Sequence, residues 1–331
     1  MAFAGNYSIQ TKTVDGVEVY LLQDTDTGTE VWVAPSFGNN AYEMNVHGKP
    51  VLWRPERSLG DLVARPTLLG IPFLWPWANR IDQESYWVHG AKYTLNPALG
   101  NVRMDGNRQP IHGLLSSSKL WQAVQATATL EGVIMKSRLE FWRYPELMAQ
   151  FPFAHTVEMT YRLSKGVLEV ETAIENLGSA ALPVSLGYHP YFRINDAPRD
   201  EWRVTLAARQ HVLLTKTLVP SGEMEPNPRK SPLSLKDVTL DDVFTDLERN
   251  SQGFAVFSVE GKQEKISVEY GPKYHVAVVY APPGRDFICF EPMTGVTNAF
   301  NAAHAGWYKD LQVVNPGEVW REVYRIRPQG F

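Results

Sequence analysis

One histidine and one glutamate each stand where an apolar strand is interrupted, a placement that suits acid–base chemistry. His189 lies within Gly187–Phe192, and the proline after it removes a ladder donor, so His189 is predicted at a strand end or bulge. Glu291 directly follows four apolar residues, Phe287–Phe290, and burial would raise the pKa of its carboxyl group towards the range of a general acid or base. The alternatives are that the aromatic neighbours of His189 belong to the core and that Glu291 faces solvent.

A second group of polar residues follows stiff or glycine-containing segments. Asn79 and Arg80 end the stretch Gly70–Ile81, in which two prolines and two tryptophans predict a rigid wall that is not a strand. An arginine beside tryptophan can fork hydrogen bonds to vicinal hydroxyls or to phosphate, although the spacing alone favours pairing with a surface carboxylate. His112 precedes Gly113, which permits the close approach of a backbone or ligand. A satisfied structural histidine is the alternative.

The remaining ionisable residues give weaker signals. Asp241 and Asp242 precede Val243 and are interpreted as caps of a short helix. None of the eight histidines forms a zinc-binding pattern. The single cysteine, Cys289, excludes an internal disulfide and argues against a zinc site built on thiolates. We therefore expect no metal site.

Composition indicates an ordinary folded protein. Of 331 residues, 44% are hydrophobic and 21% are charged, which provides a sizeable core and argues against disorder. The chain has 10 Trp, 14 Tyr and 14 Phe, and several tryptophans stand beside polar residues. Aromatic rings with polar neighbours are suited to bind sugars, which have apolar faces and hydroxyl groups at their edges. The alternative is that these aromatic side chains lie in the core of a large β-sandwich.

Charge and hydropathy exclude several partners. The net charge is -4, and the longest basic cluster, Arg229-Lys230, lies in a proline-rich loop, so nucleic acid is not an expected partner. No apolar run approaches the roughly 18 residues that span a bilayer, so a membrane is not expected either. The polar start, Met1–Val14, lacks the pattern of a signal peptide, and we expect a cytoplasmic location.

Alternation with a period of two residues dominates the chain. The clearest case is Val157–Asn176, where two alternating runs are joined by Ser164-Lys165-Gly166 and predict an antiparallel hairpin with a bulge. Other strands are predicted at Val17–Gln23, Glu30–Ala34, Tyr86–Leu95, Gly132–Phe141, Leu182–Leu186, Trp202–Ala207, Phe254–Val259, His275–Tyr280 and Glu318–Arg325.

These brief strands with frequent turns predict an all-β fold, a large antiparallel β-sandwich, and the absence of βαβ alternation disfavours a Rossmann-type fold. Short helices are predicted only at Pro145–Gln150 and Asp241–Leu247. Val219–Pro232 holds four prolines and is interpreted as a long surface connection. Strands of one character on both sides of it predict a single domain over residues 1–331.

Six motifs in order resemble the aldose 1-epimerase (galactose mutarotase-like) family, from about Val17 to Arg327. They are Asn79-Arg80-Ile81, Ile111-His112-Gly113, Gly187-Tyr188-His189-Pro190-Tyr191-Phe192, Pro220-Ser221-Gly222-Glu223, Leu240-Asp241-Asp242-Val243-Phe244 and Phe290-Glu291-Pro292. The family fold is a large antiparallel β-sandwich. Its members interconvert the α and β anomers of aldoses without a metal or organic cofactor.

The resemblance also implies roles for individual residues. His189 would be the acid that protonates the ring oxygen, and Glu291 the base that takes the proton of the C1 hydroxyl. Asn79, Arg80, His112 and Asp241 would hold and polarise the sugar. A histidine near its ordinary pKa of about 6.5 would exchange a proton near neutral pH.

The chain departs from the better-studied galactose mutarotases around the sugar. Leu114, Leu115 and three serines replace a second glycine and a Gly-Phe pair after His112, and Pro292-Met293 replaces Thr-Gln after Glu291. The expected partner is therefore a small-molecule sugar or sugar phosphate. The alternatives are a non-catalytic carbohydrate-binding or regulatory protein, and a glycoside hydrolase or lyase in which Asp241 and Glu291 form a carboxylate pair.

Overall fold

Residues 2–331, which the computed structural model describes, are 49% strand and only 8% helix. The strands in chain order are β1 (Ala2–Ala4), β2 (Tyr7–Val14), β3 (Val17–Asp24), β4 (Thr29–Ala34), β5 (Asn40–Val46), β6 (Lys49–Pro50), β7 (Phe73–Leu74), β8 (Ser85–Val88), β9 (Ala91–Thr94), β10 (Gln122–Thr129), β11 (Gly132–Glu140), β12 (His155–Ser164), β13 (Val167–Asn176), β14 (Leu182–Val184), β15 (Gly187–Tyr188), β16 (Tyr191–Phe192), β17 (Arg203–Thr205), β18 (Ala208–Leu214), β19 (Pro220–Pro226), β20 (Leu233–Ser234), β21 (Leu240–Leu247), β22 (Ala255–Glu260), β23 (Lys265–Tyr270), β24 (Val276–Ala281), β25 (Ile288–Met293), β26 (Gln312–Val314) and β27 (Val319–Gln329). The predicted all-β class is confirmed.

Two large antiparallel sheets face each other. One has the strand order β10-β11-β12-β13-β27-β23-β22-β17-β20, and the other has the order β19-β18-β21-β24-β25-β15-β7, with β16 also paired to β25. A third sheet is the meander β1–β6, and β8-β9 and β14-β26 are isolated pairs. We call the first two the nine-stranded and the eight-stranded sheet.

Aromatic side chains from both large sheets meet in one buried core. Phe257 of the nine-stranded sheet lies 6.3 Å from Phe290 of the eight-stranded sheet, measured between ring centroids. Tyr324 and Tyr188 meet in the same way at 4.8 Å. Burial of such large apolar faces is the main favourable contribution to folding. This packing confirms the predicted β-sandwich.

The strand predictions are confirmed with two corrections. The hairpin over Val157–Asn176 forms, but its loop has two residues, Lys165 and Gly166, and its pairing contains no bulge. Both loop residues have positive φ angles of 50° and 72°, which matches the twist of the strands that they join. The predicted strand Tyr86–Leu95 is wrong, because β8 and β9 form a hairpin that turns at His89 and Gly90.

Helices are few, as predicted, but one predicted helix is wrong. The helices are α1 (Leu59–Ala64), α2 (Pro145–Met148) and α3 (Ala299–His304), with 3-10 turns at Pro97–Leu99, Phe141–Arg143 and Arg199–Glu201. Asp241–Leu247 lies instead in β21, because Leu240 and Phe244 enter the core and pairing with β24 satisfies the backbone. The predicted connection Val219–Pro232 contains β19, an edge strand that tolerates proline at its ends.

Within residues 2–331, no helix is long and apolar enough to cross a membrane. The core residues of the two large sheets and of the meander β1–β6 belong largely to one contiguous cluster. The single-domain organisation over residues 1–331 stays a prediction.

The stretch Gly70–Ile81 contains β7, so the prediction that it holds no strand is wrong. The segment from Pro110 to Leu114 holds this wall in place. The Trp75 carbonyl accepts a hydrogen bond from the Leu114 N–H at 2.7 Å, and the Asn79 carbonyl accepts one from the His112 N–H at 2.8 Å. Gly113 lies between these two contacts with a φ of 65°, and an added Cβ atom there would lie 2.2 Å from the Trp75 carbonyl oxygen. Only glycine fits this contact.

We expect Gly113→Ala to destabilise the protein far more than Gly90→Ala. Both glycines have positive φ angles, but a Cβ atom at Gly90 meets nothing within 4 Å. Alanine at Gly90 therefore carries only the backbone penalty of about 1–2 kcal/mol, and Gly113→Ala adds about 1–3 kcal/mol of steric conflict. Urea unfolding measures both free energies, and equal losses would contradict the close contact with Trp75.

Candidate active site

The floor of the candidate site is the face of the eight-stranded sheet that points away from the sandwich core. Glu291 on β25 pairs with Val278 on β24, and Tyr280 on β24 pairs with Asp241 on β21. Alternate residues such as Phe290 enter the core, so these four side chains share the opposite face. Strand alternation thus gathers residues that are distant in sequence.

The gap between β15 and β16 places His189 directly beside Glu291. Both short strands pair with β25, Gly187 with Met293 and Tyr191 with Cys289, and this register puts His189 opposite Glu291. Pro190 interrupts the ladder, and the His189 N–H instead donates to the Pro72 carbonyl at 3.1 Å. The predicted strand end at His189 is therefore confirmed.

The two ionisable side chains touch in a buried environment. His189 Nε2 lies 3.3 Å from Glu291 Oε1, and the two residues are only 5% and 1% exposed. The Tyr191 ring stacks on the His189 imidazole with centroids 4.7 Å apart and an interplanar angle of 9°. Stacking and register together fix the orientation of the imidazole.

Burial makes the neutral forms of this pair the favoured ones. Desolvation lowers the pKa of His189 to about 3, which the positive charges of Arg103 and Arg80 reinforce. Desolvation raises the pKa of Glu291 well above its usual range, and Asp241 raises it further while Arg80 opposes the rise. The expectation of a His189 pKa near 6.5 is therefore wrong. Burial therefore favours a proton on the carboxyl group over one on the imidazole cation.

His112 completes one side of the site. Its ring meets that of His189 edge to face with centroids 5.3 Å apart, and it adopts a φ of 64° next to Gly113. Desolvation, with His189 and Arg103, lowers the pKa of His112 well below 6.5, so its imidazole is neutral. The alternative of a satisfied structural histidine does not fit, because its buried Nδ1 has no hydrogen-bond partner within residues 2–331.

Arg80 is already paired. Its Nε donates to Asp105 Oδ2 at 2.6 Å, and its Nη1 donates to Asn79 Oδ1 at 2.9 Å. The Asp105 side chain is only 8% exposed, so the partner is a carboxylate, as the spacing favoured, but a largely buried one. Partial burial raises the pKa of Asp105, but hydrogen bonds from Arg80, Gln109 and Asn107 lower it by more.

All six predicted site residues line one cavity of about 260 Å³. Asp241 enters it from β21, and burial with the neighbouring Asp242 raises the pKa of its carboxyl group against the opposing effect of Arg80. The earlier interpretation of Asp241 as a helix cap is wrong. The predicted residues that meet here are Asn79, Arg80, His112, His189, Asp241 and Glu291.

The sequence analysis missed Arg103 and Tyr280, which also line the cavity. Tyr280 lay within the predicted strand His275–Tyr280, but alternation did not reveal which face carries the site. Arg103 belongs to no motif. Arg103 stands two residues before Asp105, and alternate residues of an extended segment share a face. This spacing was a weak signal that Arg103 lies near the site.

Each side chain of the His189–Glu291 pair carries one polar atom that the described residues leave unpaired. His189 Nδ1 and Glu291 Oε2 are buried without hydrogen-bond partners in the part of the chain that the structure describes. A buried group of this kind costs about 1–3 kcal/mol when nothing satisfies it. Among residues 2–331 no three His, Cys, Asp or Glu side chains are arranged to hold a metal ion. That the protein needs no cofactor stays a prediction.

Known proteins share this sequence pattern and this fold. The family model described as aldose 1-epimerase matches residues 20–327. YihR of Escherichia coli K12, an uncharacterized protein, is 26% identical over 77% of this chain and 78% of its own. Human galactose mutarotase is 28% identical over 71% of this chain and 67% of its own.

A solved structure agrees with the fold. The galactose mutarotase-like protein from Clostridium acetobutylicum superposes with a TM-score of 0.87, covers 98% of this chain and 99% of its own, and is 20% identical. Identity at that level supports the architecture only. The predicted galactose mutarotase-like fold is thereby confirmed.

We expect Glu291→Gln to be at least as stable as the wild type above pH 7. The raised pKa means that the folded state favours the protonated carboxyl, so stability falls as pH rises from about 4.3 through that raised value. Glutamine carries no charge and avoids this loss. Thermal unfolding from pH 4 to pH 9 measures the difference, which should grow with pH.

Glu264→Gln is the matched control, because Glu264 is equally buried but accepts hydrogen bonds from Lys49 Nζ at 3.1 Å and the Asn195 N–H at 2.6 Å. Its replacement should lower the free energy of unfolding by about 1–3 kcal/mol. Destabilisation of both variants to the same extent at high pH would show that Glu291 is not held in an unfavourable environment.

Proposed function

Because the chain belongs to the aldose 1-epimerase family, we propose that it interconverts the α and β anomers of an aldose or sugar phosphate by acid–base ring opening and closure. The supporting observation is the contact of His189 with Glu291 at 3.3 Å on the floor of a cavity that also holds Arg80, His112 and Asp241. Anomer exchange requires one proton donor and one proton acceptor, and this pair supplies both.

The proposed reaction balances without a co-reactant. Glu291 takes the proton of the C1 hydroxyl while His189 delivers a proton to the ring oxygen, and the bond between C1 and that oxygen breaks to leave an aldehyde. Rotation about the C1–C2 bond presents the other face of the aldehyde. The reverse transfers then close the ring as the other anomer. A positioned acid or base typically contributes about 10²- to 10⁴-fold.

The proton must first move within the pair. In the form that burial favours, the proton is on the Glu291 carboxyl group, whereas the proposed roles need protonated His189 and ionised Glu291. The contact between Nε2 and Oε1 provides the transfer path, and Arg80 favours the ionised carboxylate. A sugar hydroxyl that donates a hydrogen bond to the carboxylate of Glu291 would favour its ionised form further.

The remaining residues are proposed to hold the sugar. Arg80 is fixed by Asp105 and Asn79, which leaves its Nη2 donors to reach hydroxyl oxygens. Asp241 would accept hydrogen bonds from sugar hydroxyls, and neutral His112 would donate or accept one. Asn79 acts through Arg80, whose guanidinium it orients.

Polarimetry of freshly dissolved α-glucose and α-galactose tests the proposal. We expect the wild type to accelerate the decay of optical rotation, and Glu291→Gln to reduce this acceleration about 10²- to 10⁴-fold because the base is lost. Glu131→Gln, in an exposed turn between β10 and β11, makes the same chemical change away from the cavity and should keep full activity.

Other outcomes would favour the alternatives. Tight sugar binding in calorimetry without faster anomer exchange, across neutral and phosphorylated sugars, would identify a non-catalytic carbohydrate-binding protein. Release of reducing ends from glycosides would identify a hydrolase. Full activity of Glu291→Gln would remove the proposed role of that carboxyl group.

The pH dependence of kcat/KM should lack a step near pH 6.5. The His189 pKa of about 3 keeps the free imidazole neutral from pH 5 to 8, and His112 is shifted in the same direction. Because the pKa of Glu291 is raised, the loss of its proton should appear as a fall in activity at a pH above the usual range of a carboxyl group. A step near pH 6.5 that disappears in His189→Gln would contradict this.

A further inference from the structure

Beside the cavity lies a larger groove of about 790 Å³ that no predicted site residue lines. Arg103 lines both the groove and the cavity, and Gly113, which follows His112, lines the groove. The cavity itself, at about 260 Å³, falls below the usual range of about 300–1,000 Å³ for small-molecule sites, so it suits a single sugar ring. A substituent on that ring would extend past Arg103 into the groove.

Arg103 is the uncompensated positive charge at this junction. Arg80 is neutralised by Asp105, whereas the exposed side chain of Arg103 makes no ion pair or hydrogen bond within residues 2–331. Its charge nevertheless acts on the cavity, because it contributes with desolvation to the lowered pKa values of both His112 and His189. Because Arg103 lines both spaces, a ligand that extends from the cavity into the groove would pass beside it.

The lining of the groove favours an anion over a second sugar ring. Arg103 and Lys119 supply two positive charges against one negative charge from Glu146, and Ser116 and Ser117 add hydroxyl donors. None of the residues that line it is aromatic, so it lacks the flat faces on which sugar rings stack. Oxyanions are recognised by this combination of arginine and hydroxyl donors.

We propose that this groove is a subsite for an oxyanion substituent of the sugar, with Arg103 as the residue that recognises it. The substrate is then an acidic aldose, one that carries a phosphate or a carboxylate away from C1. This inference rests on the proposed function and specifies its substrate class. It also moves anion recognition from Arg80, the arginine that the sequence singled out, to Arg103.

Anomer exchange followed by NMR exchange spectroscopy tests the subsite with four sugars: glucose, glucose 6-phosphate, glucuronate and maltose. For the wild type, kcat/KM should be at least about 10-fold higher for one of the two acidic sugars than for glucose. Whether phosphate or carboxylate is preferred identifies the oxyanion. Added salt should reduce this advantage by screening the charge.

Substitutions then assign the effect to Arg103. In Arg103→Ala the ratio of kcat/KM for the acidic sugar to that for glucose should fall about 10- to 100-fold, the range for loss of a charge-assisted hydrogen bond. Arg103→Lys should recover part of it, because lysine keeps the charge but not the forked geometry. Arg108→Ala is the matched control, since Arg108 is an exposed arginine of the same segment that lines neither space.

Three results would overturn the inference: no preference for either acidic sugar, a preference for maltose, or an unchanged ratio in Arg103→Ala. If no sugar is exchanged at all, the proposed function fails, and the subsite is judged by calorimetry alone. Binding of glucose 6-phosphate that weakens in Arg103→Ala but not in Arg108→Ala would still support it. No binding of glucose 6-phosphate or glucuronate to the wild type would overturn it.

Discussion

The register between β25 and the two short strands β15 and β16 is the constraint on which the site depends. Pairing on both sides of the gap leaves His189 no position except opposite Glu291. The sandwich core holds β25 from its other face through Phe290. Two side chains 102 positions apart in sequence are thereby fixed at 3.3 Å by backbone pairing, without a hydrogen bond from another side chain to the imidazole.

The same strand register also determines the protonation of His189 and Glu291, because it buries both side chains. A surface pair of this kind would be charged at neutral pH, whereas burial favours a neutral imidazole and a protonated carboxyl. Glu291 therefore occupies a buried environment that disfavours its ionised form. The close contact of Gly113 with the Trp75 carbonyl has a similar importance, since it holds the segment that carries His112 against the wall that carries Arg80.

Sequence predicted what depends on local pattern and missed what depends on pairing. Alternation predicted the hairpin over Val157–Asn176, because the apolar or polar character of each residue there shows which face of the strand it lies on. It failed at Asp241–Leu247, where two aspartates resemble a helix cap but β24 decides the structure. Nothing local indicated that two-residue strands would set the partner of His189. The six predicted site residues stood out in their local settings, but their roles came from resemblance to a family, and Arg103, outside every motif, was missed.

The two arginines show why pairing and not residue type determines function in this cavity. Arg80 keeps its charge near Glu291, but Asp105 offsets that charge, so it can orient hydroxyls without fixing the carboxylate in its ionised form. The uncompensated cation, Arg103, lies at the junction with the groove. The proposed charge recognition by Arg103 and the proposed proton transfer between His189 and Glu291 thus use different side chains of the cavity.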